Sequence, residues 1–209
     1  KTFGPIPLGI YFGQSAVTRE DPFFDGSGPA RAGCRLCGNC LTGCQFDAKN
    51  SLDKNYLHLA ERVGAVVLPE RRVTAITPLP VGGYELQLEN PIDPRQSLAP
   101  MRARNVVVSA GVLGTLRLLL RCRDELETLP HLSPHLGKVV RTNSEAVVGI
   151  LSPTAPPDWT RGPTISSHFF ANAHTHVTQN RFPLGYDFFK WQTGPLVDAT
   201  SPWRRALKT

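Results

Sequence analysis

Four of the five cysteines lie between residues 34 and 44, and they are the residues best suited to do chemistry. Cys34, Cys37, Cys40 and Cys44 follow the spacing C-x2-C-x2-C-x3-C, with which small bacterial electron carriers bind a [4Fe–4S] cluster. Closely spaced thiolates on a turn rich in glycine can converge on one small cluster. The spacing therefore predicts that these four cysteines are metal ligands, and it favours an iron–sulfur cluster.

The surroundings of this cysteine run leave other interpretations open. Gln45 follows it where the cluster-binding run continues with proline, and the chain has no second run. Zinc sites usually separate two C-x2-C pairs more widely, and disulfides need an oxidising compartment. The four residues could also simply pack a tight loop beside a cofactor. Cys122, in a leucine-rich segment, is predicted to be a small core residue.

The histidines are the next candidates, but none has a recognisable acid–base partner in the sequence. His174 and His176 form an H-x-H pair, which would place both imidazoles on one face of a strand. Two ligands alone make a poor metal site. Together with His168, these residues are more simply explained as positions on a strand, so we predict no catalytic residue.

A turn of small residues, Ser109-Ala110-Gly111, joins the apolar run Asn105–Ala110 to a helix predicted over Val112–Arg123. The apolar run is typical of a strand in a parallel sheet, and a strand that leads directly into a helix is typical of an α/β domain. Small side chains let backbone approach a dinucleotide closely, and a helix N-terminus favours phosphate. A tight connection without any ligand would look the same.

Hydrophobic periodicity predicts the elements that position these residues. Apolar side chains at helical spacing follow Ser51, and the helix is predicted to end at Gly64. Alternating residues on either side of Gly82-Gly83 predict a small β-meander. Residues 90–104 are predicted to form a loop. Further strands are predicted over 65–68, over 144–151, and twice within 164–182.

Composition excludes several classes of protein. The chain has 209 residues and a formal net charge of +6, from 23 Lys and Arg against 17 Asp and Glu. The basic residues are scattered rather than arranged in a stripe with aromatic residues, so no nucleic-acid partner is predicted. No apolar run is long enough to span a membrane, and no secretory signal is visible. With four thiols expected to be reduced or ligated, a cytoplasmic location is expected.

Four segments of the sequence carry a resemblance to a known family. Each is similar to a segment of the glucose–methanol–choline (GMC) oxidoreductases, most closely of their cholesterol-oxidase-like branch, and all four occur in the order found there. Asp47 departs from the pattern, because that branch usually has glycine at this position. The segments are Gly43–Ser51 with Asn55–Ala60, Arg72–Ile76, Val108–Thr115 and Leu136–Glu145.

The resemblance implies an α/β fold with part of a Rossmann-like FAD-binding domain, a small β-meander and part of an antiparallel substrate-binding sheet. Residues 1–145 would be the middle of the FAD domain with a cysteine-rich lid segment, and residues 146–209 would begin the substrate domain. The implied activity is oxidation of the CH–OH group of an alcohol or sterol, with FAD as cofactor. The implied cofactor-binding residues are Val73, Ser109, Ala110, Gly111 and Thr115.

Two hallmarks of the family are missing from the sequence. There is no G-x-G-x-x-G turn after a strand, and no catalytic histidine motif near the end of the chain. We therefore expect an internal fragment that binds FAD weakly and is inactive by itself. The alternative from another functional class is an electron-transfer module built on an iron–sulfur cluster at Cys34–Cys44, which some GMC dehydrogenases carry in a similar place. A non-catalytic remnant is a third interpretation.

Overall fold

The chain forms two compact units, and the described residues of each unit contain strands and one α-helix. A computed structural model describes residues 3–141, 143, 145–149, 159–186 and 188. Unit 1 comprises Lys1–Ala65 and Val147–Thr209, and unit 2 comprises Val66–Ala146. The strands are β1 (Phe3–Pro5), β2 (Thr18–Arg19), β3 (Arg31–Ala32), β4 (Arg72–Pro78), β5 (Tyr84–Glu89), β6 (Met101–Ala103), β7 (Ile165–Asn172) and β8 (Thr175–Asn180). The helices are α1 (Tyr56–Arg62) and α2 (Gly111–Leu120).

The described residues of unit 1 form two antiparallel sheets. Strands β1, β7 and β8 form one in the order β1-β7-β8, and the short strands β2 and β3 form the other. The tight turn between β7 and β8 is stabilised by Asn172, whose Oδ1 accepts a hydrogen bond from the His174 amide at 2.9 Å. Asparagine favours such turns because its side chain bonds to nearby backbone. This hairpin confirms the two strands that the sequence predicted within residues 164–182.

A buried arginine holds the segment that leads into α1. Arg31 is 0% exposed. Its guanidinium donates hydrogen bonds to the carbonyl of Lys49 at 3.3 Å, to Asn50 Oδ1 at 2.6 Å and to the carbonyl of Lys54 at 2.6 Å. The charged group is stable in the interior because these acceptors replace water. Phe23 packs against it, with its ring centroid 5.6 Å from the guanidinium carbon.

Helix α1 confirms the helix predicted after Ser51, although it is shorter. A single 3-10 turn over Leu52–Lys54 precedes it, and the Asn55 side chain accepts a hydrogen bond from the Tyr56 amide at its start. Gly64 follows the helix with a φ of 98°, a conformation that glycine adopts without a steric penalty. The sequence therefore identified both the beginning and the end of this region.

Unit 2 consists of the β4-β5-β6 antiparallel sheet and helix α2. Strands β4 and β5 flank Gly82-Gly83 and confirm the predicted meander, while β6 falls inside the segment that we predicted to be a loop. The core contains Ala75, Ile76 and Cys122. Cys122 lies in a π-helical turn after α2, and its Sγ accepts a hydrogen bond from the Ile76 amide at 3.4 Å.

Two predicted strands are wrong. Residues 65–68 and 105–110 are not part of any strand, and the side chains of Val66 and Val107 are 78% and 87% exposed. An apolar run forms a strand only where another backbone lies beside it to complete the hydrogen bonds, and composition does not show whether such a neighbour exists. Of the strand predicted over 144–151, residues 144, 150 and 151 lie outside the described residues, and residues 145–149 form no strand.

The fold combines helices with sheets, as an α/β chain should, but the strands named above pair only in antiparallel sheets. The structure does not confirm a Rossmann-like domain. The predicted functional division between residues 145 and 146 stays a prediction. In the part of the chain that the structure describes, no helix is long and apolar enough to cross a membrane.

Candidate functional site

The start of α2 forms one wall of an open depression in unit 2. Ser109, Gly111 and Thr115 line it from the turn and the first helical residues, and Gly137 and Arg141 line it from the loop that follows the helix. The depression is open to solvent and has a cavity volume of about 610 Å³, which lies within the range of small-molecule sites. The structure therefore gathers a turn of small residues, a helix N-terminus and one arginine.

The geometry of this turn favours an anionic ligand. Gly111 has a φ of 69°, and a Cβ on it would meet no atom within 4 Å, so the backbone is exposed there. The first amides of a helix have no partner within the helix and carry partial positive charge. No acidic residue lies in the first turn of α2 to oppose that charge, and the nearby Arg141 adds to it.

The structure brings together only some of the predicted cofactor-binding residues. Ser109, Gly111 and Thr115 line the depression. The Ala110 amide donates to Thr115 Oγ1 at 3.2 Å, so the threonine hydroxyl stabilises the turn itself. Val73 lies on β4 opposite Leu88, is half-buried, and does not line the depression. The roles of all five residues toward a cofactor stay predictions.

The sequence analysis missed Arg141 and Gly137 as residues of this site. Both belong to the Leu136–Glu145 segment that carried part of the family resemblance, so a signal was present. The separation in sequence between this segment and Ser109 hid the connection. Only the folded chain shows that the two segments line the same depression.

The four clustered cysteines line a second pocket, which lies in unit 1. Cys34, Cys37, Cys40 and Cys44 all border it, and each is half-buried and free of disulfides. The pocket has a cavity volume of about 20 Å³. Gly38, with a φ of 76°, lets the chain bend back inside the run, a conformation that other residues adopt at a cost.

The cysteine pocket is bordered by four thiols and two cations. Burial raises the pKa of the Cys34 thiol, the hydrogen bond from the Leu36 amide to its Sγ at 3.4 Å opposes that rise, and the three other cysteines add to it. Lys49 Nζ donates to the carbonyl of Cys40 at 2.9 Å. The Arg35 guanidinium lies 4.2 Å from the centre of the Phe46 ring. Both cations also line the pocket.

The donor set of the cysteine pocket suits a metal cluster by chemistry, but the arrangement of its side chains does not. Among the described residues, no group of three or more His, Cys, Asp or Glu side chains is placed so that it could hold a metal ion. The four cysteines share a pocket without forming a ligand set. The iron–sulfur interpretation therefore has no support from the structure, and ligation by these cysteines stays a prediction.

The histidine arrangement differs from the predicted one. His174 lies in the turn before β8, so the expected same-face pair of His174 and His176 is wrong. His176 Nε2 instead lies 2.8 Å from His168 Nδ1 on β7, and Phe170 stacks on the His176 ring with their centroids 4.7 Å apart. This partner depends on the register of the hairpin, which spacing within one strand does not reveal.

Comparisons with known proteins identify relatives along the whole chain. No family model matches. Cholesterol oxidases from two strains of Mycobacterium tuberculosis (CDC 1551 / Oshkosh and H37Rv) are each 37% identical over 223 aligned residues, which cover 100% of this chain. A cholesterol oxidase from Acinetobacter baumannii is 36% identical over 214 residues, which cover 98% of the chain. The chain spans only 38% of the length of each of these relatives.

Proposed function

Because the chain belongs to the cholesterol-oxidase-like branch of the GMC oxidoreductases, we propose that it contributes to an FAD-dependent oxidation of the CH–OH group of an alcohol. The proposed substrate class is a sterol, since the relatives from Mycobacterium tuberculosis and Acinetobacter baumannii are named cholesterol oxidases. FAD, when bound, supplies the acceptor for the hydride that leaves the alcohol carbon.

The observation that carries this proposal is the depression at the start of α2. The pyrophosphate of FAD is an anion, and the exposed backbone at Gly111 with the positive end of a helix fits such a group. The absence of acidic residues from the first turn of α2 removes the charge that would repel it. We therefore assign the nucleotide-binding role to this turn.

Each residue of the turn has a different part in the proposed binding. Gly111 keeps the space above the backbone open, and Thr115 fixes the turn by accepting the hydrogen bond of the Ala110 amide. Ser109 offers a hydroxyl at the edge of the depression, and Arg141 offers a positive charge from the opposite side. Val73 is proposed to contact the cofactor through its backbone, and this role follows from the family resemblance alone.

The proposal also assigns one part of the chain to FAD binding and another to substrate binding. Residues 1–145 would belong to the FAD-binding part and residues 146–209 to the substrate-binding part. An antiparallel sheet was expected in the substrate-binding part, and the antiparallel β7–β8 hairpin lies within residues 146–209. The compact units divide the chain differently, because Lys1–Ala65 clusters with Val147–Thr209.

The test is to add candidate alcohols to the FAD-loaded full-length protein under argon. We expect a sterol dispersed in detergent to bleach the visible absorption of the oxidised flavin, and a short water-soluble alcohol to leave it unchanged. Bleaching by the short alcohol alone would contradict the sterol assignment. A protein that binds FAD but is reduced by neither alcohol would contradict the proposed reaction.

A further inference from the structure

The cysteine pocket contains one pair of thiols whose position differs from that of the others. Cys37 and Cys40 flank Gly38-Asn39, and the chain bends at Gly38 before a 3-10 turn over Asn39–Leu41. The C-x2-C spacing, which Cys34 and Cys37 share, is the one found in thiol–disulfide exchange proteins. Both cysteines line the same pocket and are half-buried, so neither is sealed in the interior.

The bend between these two cysteines is firmly anchored within unit 1. The Gly162 amide donates to the carbonyl of Leu36 at 2.7 Å, and Thr164 Oγ1 donates to the carbonyl of Gly38 at 2.7 Å. A Cβ on Gly38 would lie 2.8 Å from the carbonyl oxygen of Thr160, so the backbone is packed closely at this point. These contacts keep the backbone between the two thiols in one conformation.

The two outer cysteines are less suited to pair with their neighbours. Cys34 Sγ accepts a hydrogen bond from the Leu36 amide at 3.4 Å, which orients its side chain toward its own backbone. Leu36, between Cys34 and Cys37, has a φ of 55° and so interrupts the turn on that side. Cys44 is separated from Cys40 by one additional residue and follows Gly43, whose φ is 105°.

We propose that Cys37 and Cys40 form a reversible dithiol–disulfide pair whose oxidant is hydrogen peroxide. One thiolate attacks a peroxide oxygen, the O–O bond breaks, and a sulfenic acid and one water result. The second thiolate attacks that sulfur, the S–S bond forms, and the hydroxyl leaves as a second water. The two sulfurs together lose two electrons, peroxide gains them, and both thiol protons end in the two waters.

A reaction of the proposed kind would supply this oxidant if oxygen is its final electron acceptor, and the thiol chemistry does not depend on that source. A flavin that passes its electrons to oxygen releases hydrogen peroxide, so oxidation of the pair would report turnover by the same protein. This link rests on the proposed function. The experiment adds peroxide directly, and its outcome is therefore independent of whether the protein oxidises alcohols.

The experiment begins with full-length protein that has been reduced and desalted under argon. We expect less than one iron, zinc or sulfide per chain, and after addition of peroxide an intact mass lower by two hydrogen atoms. Peptide mapping should then show a Cys37–Cys40 link, with Cys122 still a thiol because it is 0% exposed in unit 2. Dithiothreitol should restore the original mass.

Matched variants separate this pair from its neighbours. Cys37→Ser and Cys40→Ser should each abolish the loss of two hydrogen atoms, while the control Cys34→Ser, in the same pocket, should retain it. Stoichiometric iron and sulfide in the isolated protein would overturn the proposal, because the thiolates would already be ligands. A link between any other two cysteines, or oxidation to sulfinic acid without a link, would overturn it as well.

Discussion

The two pockets of this chain are built in opposite ways. The cysteine pocket in unit 1 is narrow and lined by reactive side chains, and its backbone is anchored by hydrogen bonds from Gly162 and Thr164. The depression in unit 2 is open, and its distinctive groups are the backbone at Gly111 and the start of α2.

This difference determines which changes each pocket should tolerate. A site made of side chains loses its chemistry when a single one of those side chains is replaced. The loops that carry these side chains are stabilised by buried groups nearby. A site made of backbone keeps working through most side-chain changes, and fails when a new side chain occupies the space beside the backbone. The predictions below use this contrast.

The largest expected loss of stability follows replacement of Arg31, the buried arginine that binds the segment between the cysteine run and α1. Replacing Arg31 with Met leaves three part-buried acceptors without their donor, which should lower the free energy of unfolding by about 2–4 kcal/mol, because polar groups that lose their partners keep part of their desolvation penalty. Urea unfolding of the full-length protein measures this.

The control for this change is the neighbouring arginine in the same small sheet. Arg19 pairs with Arg31 across β2 and β3 but is exposed, so Arg19→Met should change the unfolding free energy by less than about 0.5 kcal/mol. Equal losses in the two variants would show that the buried arginine does not support the loop between the cysteine run and α1.

A smaller loss of stability is expected from a substitution in the core of unit 2. Cys122→Ala removes the sulfur that accepts the Ile76 amide and should cost about 1–3 kcal/mol, since a buried donor is left without a partner. The exposed control on the adjoining helix is Leu113, which is 80% exposed. If Leu113→Ala destabilised the protein as much as Cys122→Ala, Leu113 would be covered in the full-length protein, and the described core of unit 2 would be incomplete.

The elements that the sequence predicted correctly are those whose signals are local. The periodicity after Ser51, the Gly82-Gly83 turn and the leucine-rich segment of α2 each lie within a short stretch of chain, and each formed as expected. The apolar run 105–110 failed because a strand also needs a neighbour. Residues that meet only after folding, such as His168 and His176, could not be identified from spacing.

The difference between local signals and contacts formed only on folding also explains which parts of the two pockets could be predicted from the sequence. The cysteine run was conspicuous as a pattern, yet ligation depends on how four sulfurs converge, which spacing does not determine. Arg31 gave no signal at all, because its acceptors are backbone carbonyls and an amide from a distant segment. The turn at Ser109-Ala110-Gly111 was selected from the sequence because small residues let a ligand approach backbone closely, and its cofactor role stays a prediction.

The central claim is that the backbone at the start of α2 binds FAD, and the most direct measurement is the FAD affinity of two glycine variants. Gly111→Ala and Gly82→Ala both place an alanine at a positive φ, 69° and 91°, with no atom within 4 Å of the new Cβ. Both lie in unit 2, but only Gly111 lines the depression. Both variants therefore carry the strain of a positive φ, and only Gly111→Ala places a methyl group in the depression.

We expect Gly111→Ala to weaken FAD binding by the full-length protein at least about tenfold, or about 1.4 kcal/mol, because the new methyl group occupies the space that the pyrophosphate needs. Gly82→Ala should leave the affinity unchanged, as measured by titration of the flavin-free protein with FAD. Equal affinities in the two variants would contradict the assignment of the nucleotide site to this turn.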